Sequence, residues 1–140
     1  MKPNKITNYN PPESKVISIK DKSTLNANEK SVKSKIILPV LDGFEFVHIR
    51  TIKYMQADGA YVKLFLAGGK KLTVAKTLKE MVSKVPSNYF LRVHQSFLVN
   101  VEFISKYNKK NASLVLDGGE KVNVSRSGSQ RLKEYILTYS

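Results

Sequence analysis

The chain contains no cysteine among its 140 residues, which excludes a disulfide scaffold and a cysteine-based zinc site. Histidine is scarce as well. His48 and His94 are the only two, too few soft ligands for a transition-metal centre, so neither a metal nor a cofactor is expected. Long apolar runs are also missing. The longest extend over a few residues, far short of the roughly 18 to 20 that span a bilayer, and the amino terminus lacks an apolar signal core. A soluble, cytoplasmic protein with no membrane partner is the expectation. The lack of cysteine fits a reducing compartment without demonstrating one. Acidic side chains are few: 11 Asp and Glu stand against 24 Lys and Arg, a net charge of +13. Solubility needs much less, so the excess points to a polyanion such as DNA, RNA or an anionic surface.

What is present is ordinary for one globular domain, with 41% hydrophobic and 25% charged residues. The chain divides near Lys35. Residues 1–35 hold Pro3, Pro11, Pro12 and many Asn, Ser and Lys, with Tyr9 the only aromatic. Beyond Val16, Ile17 and Ile19 they show no sustained period, and such a segment cannot bury enough apolar surface to offset its ordering entropy. It reads as a basic arm or linker of charge +5, eight Lys against three acids. Residues 36–140 carry 16 Lys and Arg against eight acids, so +8 belongs to the folded part.

From Ile36 the texture is that of short strands. Phe44, Phe46 and His48 alternate with Glu45, Val47 and Ile49, a pattern that predicts a strand with both faces at least partly covered. Ile52 to Gln56 predicts a second, and Ala57-Asp58-Gly59-Ala60 turns into Tyr61 to Leu66, where Val62, Leu64 and Leu66 share one face. Gly68-Gly69 leads by a hairpin into Lys71 to Ala75. Further strands are expected at Phe90 to Val93, Phe103 to Lys106 and Ser113 to Leu116, and Asp117-Gly118-Gly119 turns into Lys121 to Val124. Thr77 to Val85 has helical spacing and is stopped by Pro86. Ser127 with Gln130 resembles a capping box opening a last helix, with Leu132, Tyr135, Ile136 and Tyr139 on one face. The sum is a mainly β domain of short strands in antiparallel hairpins with one or two short helices, not a doubly wound parallel sheet.

No enzymatic constellation emerges. Ser96, His94 and an Asp such as Asp58 or Asp117 supply the residue types of a triad, but no glycine elbow or oxyanion loop surrounds them. The Gly pairs lie in neither a GxxxxGKS nor a GxGxxG pattern, and hairpin turns explain them. Lys70-Lys71 and Lys109-Lys110 taken singly read as solvated turn charges. Neither helix suits a major-groove reader, so if the chain reads DNA, loops or strand ends must do it.

Three separated segments carry a family resemblance: ILPVLDGFEFVHIRTIKYMQADGAYVKLFL (37–66), LRVHQSFLVNVEFI (91–104) and DGGEKVNVSRSGSQRL (117–132). Together they resemble the LytTR DNA-binding domain of bacterial response regulators, from about Lys35 to Ile136. Phe90-x-Arg92-Val93-His94-x-Ser96-Phe97-Leu98-Val99-Asn100 is the most specific part. The resemblance implies about ten short strands in three small sheets. It also implies sequence-specific binding of double-stranded DNA by loops in neighbouring major grooves, on direct-repeat promoter sites, with bending of the duplex. Tyr61, Gln95 and Arg126 fall on its base-contacting positions. Arg126 suits guanine O6 and N7, and Gln95 suits adenine N6 and N7.

Alternatives stand beside each assignment. Arg126 can instead bind phosphate or a neighbouring carboxylate. The family often carries a basic or different amide residue at the place of Gln95, which leaves the preferred base open, and Tyr61 shares its side with Phe65 as packed aromatic surface. His94 is expected to bond backbone and hold the loop bearing Gln95, Asn100 to fix a turn, and His48 to have no special role. Phosphate contacts are expected from a subset of Lys63, Arg92, Ser96, Lys106, Lys109, Lys110, Lys121, Ser125 and Ser127. Many members carry an amino-terminal receiver domain, which 35 polar residues cannot form. A stand-alone regulator, or a DNA-binding portion without its input domain, is therefore expected, acting alone or as a homodimer on DNA. An RNA-binding or ribosome-associated basic β module is the alternative, although no RNP-type aromatic motif lies on a strand. A membrane-surface or protein-interaction domain is a third reading, without the basic amphipathic helix it would need.

Overall fold

A computed structural model describes residues 34–140. The arm assigned to residues 1–35 lies outside the described residues except for Ser34 and Lys35. Ten strands run in chain order: β1 (Lys35–Val40), β2 (Gly43–His48), β3 (Ile52–Asp58), β4 (Tyr61–Leu66), β5 (Lys71–Val74), β6 (Phe90–His94), β7 (Phe97–Asn100), β8 (Ile104–Asn108), β9 (Ser113–Leu116) and β10 (Lys121–Asn123). Helix α1 (Leu78–Val82) follows β5, and α2 (Arg126–Tyr139) closes the chain. The strands form three antiparallel sheets: β1-β2, β5-β4-β3-β7-β6 and β10-β9-β8. The mainly β expectation holds. None of the described helices is long and apolar enough to cross a membrane.

The five-stranded sheet is the centre because its strands bury side chains on both faces. Met55, Val62, Leu64, Val74 and Leu98 face one core, completed by Ile36, Leu38 and Val47 of the β1-β2 hairpin and by Leu78 and Met81 of α1. Val93 and Val99 face a second core with Leu114, Leu116, Val122 and Leu132 from β9, β10 and α2 and with Val124 from the connection between β10 and α2. Adjacent residues of β7 therefore enter different cores, Leu98 one and Val99 the other. Such a strand has no polar alternation to display, which is why Phe97–Asn100 gave no separate strand signal.

Four local expectations are corrected. Among the described residues the outer face of β2 is uncovered: Phe44 is 70% and Phe46 63% exposed, while Val47 is buried, because none of those residues packs on that side of a two-stranded sheet. Helix α1 is shorter than Thr77 to Val85. Thr77 caps it, its Oγ1 accepting from Glu80 N–H while Thr77 N–H donates to Glu80 Oε1. Helix α2 is capped two residues before Ser127, by Ser125, whose Oγ accepts from Gly128 N–H at 3.0 Å. Its apolar stripe is covered only at its start: Leu132 is buried, while Ile136 and Tyr139 are 43% and 62% exposed.

One ion pair joins the two larger sheets. Lys53 of β3 donates to Glu120, in the turn before β10. That hydrogen bond, first, holds the Glu120 carboxyl below its ordinary range.

Candidate nucleic-acid interface

Three connections meet at one end of the central sheet. β3 runs out at Asp58, and β7 begins at Phe97 opposite Gln56, so the β3–β4 and β6–β7 turns are neighbours. Ala57 N–H donates to Ser96 O at 2.9 Å between them. The entry to α2 arrives beside β6, where Ser125 N–H donates to Val93 O at 2.9 Å. Tyr61, Gln95 and Arg126 occupy these three places and all are exposed. Tyr61 starts β4, two strand spacings or roughly 10 Å from β7.

Each connection has a local cause. Gly59 has φ +62°, the left-handed conformation that favours glycine and that lets the β3–β4 turn close. In the β6–β7 turn His94 pairs with Phe97, leaving Gln95 and Ser96 as the two loop residues. Neither has a positive φ, so the turn is neither of the two types that match hairpin twist, and the register shifts between Arg92 and His94 to accommodate it. Side chains hold it instead. His94 Nδ1 accepts from Ser96 N–H at 3.0 Å, and Arg92 Nη2 donates to Gln95 O at 2.6 Å. At α2, Gly128 permits a very close approach: a Cβ there would meet Val93 O at 1.8 Å.

Between β6 and the start of α2 lies a pocket of about 300 Å³ lined by Arg92, His94, Gln95, Ser125, Ser127 and Arg131. Arg131 Nη1 donates to Arg92 O at 2.7 Å. Burial, and then the neighbouring Arg131 charge, pushes the Arg92 guanidinium below its ordinary value. Arg92 Nε is buried without an acceptor among the described residues. Two guanidiniums, an unused donor, two hydroxyls and the positive end of a 14-residue helix form a setting for an oxyanion.

The structure thus gathers Arg92, His94, Gln95, Ser125 and Ser127 in one pocket, with Ser96 in the adjoining turn. Lys63 lies on β4 and makes an exposed pair with Asp58 at 3.5 Å, an interaction of small energy. Lys106, Lys109, Lys110 and Lys121 belong to the separate three-stranded sheet and its turns. Of these, Lys109 lines a groove with Tyr107, Lys133, Ile136 and Leu137, beside the later turns of α2 rather than its start. Asn100 is remote from the Gln95 turn. It is buried at the far end of β7, where Nδ2 donates to Ile52 O at 2.9 Å and Oδ1 accepts from Glu102 N–H at 3.0 Å. Arg131 had no distinguishing signal in the sequence, because only the tertiary fold decides which carbonyl its side chain meets.

Residues 42–137 match the family model described as the LytTr DNA-binding domain. The chain belongs to the LytTr DNA-binding domain family. A solved LytTr domain from Bacillus cereus superposes with a TM-score of 0.64 at 28% identity, covering 74% of this chain and 97% of that one. The sensory transduction protein LytT of Bacillus subtilis (strain 168) is 29% identical over 112 residues, 78% of this chain and 46% of that protein. The CO-responsive transcriptional regulator RcoM of Rhodospirillum rubrum is 29% identical over 103 residues, 71% of this chain and 43% of that protein. The chain spans less than half the length of these curated relatives. In this LytTr domain the three exposed connections and the arginine pocket form the candidate DNA-binding end.

Proposed function

We propose that this LytTr domain reads double-stranded DNA sequence-specifically as part of a bacterial transcriptional regulator, with Tyr61, Gln95 and Arg126 at base edges. The observation that carries this reading is the meeting of three exposed connections at one sheet end beside a pocket suited to a phosphate. A row of loops can follow a groove where neither described helix is free: α1 packs into one core and α2 packs its first turns on β6. Arg126 offers a bidentate fork to guanine and Gln95 an amide pair to adenine, each supplying about 1 to 3 kcal/mol of discrimination. Arg92, Ser125 and Ser127 take one phosphate at the pocket. Ser96 and a subset of Lys63, Lys106, Lys109, Lys110 and Lys121 fix register without conferring sequence preference.

Direct-repeat promoter sites suit a domain that acts singly or as a pair on DNA, and the basic arm of residues 1–35 adds charge that can track phosphates. His94 serves as the residue that holds the reading turn. Asn100 serves as the residue that fixes the opposite end of the same strand.

Selection from a random duplex pool tests the reading. The expected result is a repeated motif whose preferences relax at separate positions in Gln95→Ala and Arg126→Ala. Equal retention of single-stranded RNA and random duplex would overturn it in favour of a non-specific RNA or DNA binder.

A further inference from the structure

We propose that Arg131 is a positioning residue for base reading, locking the Gln95 turn to the helix that carries Arg126. The inference rests on the DNA reading above and deepens it. The chain of contacts is short. Arg131 Nη1 donates to Arg92 O at 2.7 Å, and Arg92 Nη2 donates to Gln95 O at 2.6 Å. Arg126 and Arg131 lie on the first turns of one helix, so a rigid body bearing one reading residue grips the strand that supports the other.

The grip matters because the turn has no strong preference of its own. Gln95 and Ser96 adopt neither positive φ that a well-matched two-residue hairpin uses, and the bulge beside them loosens the strand pairing. A displacement of the amide by about 1 Å would spoil bidentate geometry at a base edge, since such bonds tolerate little lengthening or misalignment. Holding the turn in its bound shape before DNA arrives also removes an ordering cost from binding. Like-charged guanidiniums side by side repel, and a phosphate in the pocket relieves that repulsion, so the backbone contact and the base reader are tied to the same structural unit.

Arg131 is exposed, so Arg131→Met removes the donor while keeping the aliphatic stem and the fold. Two measurements on the full chain test the inference. In the free protein, hydrogen exchange at the Ala57 N–H, which is bonded to Ser96 O, is expected to accelerate severalfold in Arg131→Met. On single-substituted duplexes, discrimination is expected to fall about tenfold at the positions that Gln95→Ala relaxes. Arg131→Lys, which keeps a donor, is expected to stay closer to wild type in both. Unchanged base preferences, with uniform weakening and a salt slope reduced by about one, would make Arg131 a phosphate contact and overturn the inference. A wild-type protein without base preference would instead remove the DNA reading. Unchanged Ala57 exchange would independently remove the lock.

Discussion

A methyl group added at position 128 would lie 1.8 Å from Val93 O and 2.9 Å from Val93 Cα. Both are backbone atoms in a strand, so they cannot move aside as a side chain tip would. Alanine is favoured over glycine inside a helix by about 1 kcal/mol, but the steric term is larger here, because α2 must lift from β6 to accept it. Gly128→Ala is therefore expected to lower unfolding stability by about 1 to 3 kcal/mol, measured by denaturant titration. Equal or higher stability would show that α2 shifts freely. The same substitution should weaken DNA binding, since Ser125 N–H would lose Val93 O. Side-chain identities at this end were readable from the motif, but Gly128 stood there only as one glycine in Ser127-Gly128-Ser129. Its need to lack a Cβ comes from a strand more than thirty residues earlier.

The β1-β2 hairpin shows how an element can satisfy its pattern on one face only. Ile36, Leu38 and Val47 enter a core, while Ile37, Phe44 and Phe46 remain 50%, 70% and 63% exposed. The cross-strand pair Ile37 and Phe46 therefore lies mainly in water. Stability should follow that division. Leu38→Ala is expected to cost about 2 to 5 kcal/mol through lost burial and a cavity. Phe46→Ser is expected to change stability by no more than about 0.5 kcal/mol, and thermal melts of the two variants check both. A large loss in Phe46→Ser would show that the outer face is covered. Alternation predicted the strand but could not say which face meets a partner, because period 2 marks two faces without naming the buried one. Helix α2 repeats the lesson: Leu132, Ile136 and Tyr139 share a stripe, yet only Leu132 finds a core.

Across the whole molecule, the net charge of +13 divides into +5 in residues 1–35 and +8 in the rest. If about six phosphates are neutralised, affinity should fall by about three orders of magnitude between 50 and 200 mM salt. Binding isotherms at several salt concentrations check this, and a flat response would sink the DNA reading. Sequence by itself determined the polyanionic bias, the short strands and Gly-marked hairpins, and the family motif, because these depend on composition, local backbone preference and residue order. Only the tertiary structure decided which strand faces are covered, that the Asp58–Tyr61 turn, the Gln95 turn and the start of α2 share one end, and that Arg131 reaches Arg92 O. Those outcomes depend on contacts between residues distant in the chain, which are fixed when the sheets pack and carry no local sequence signature.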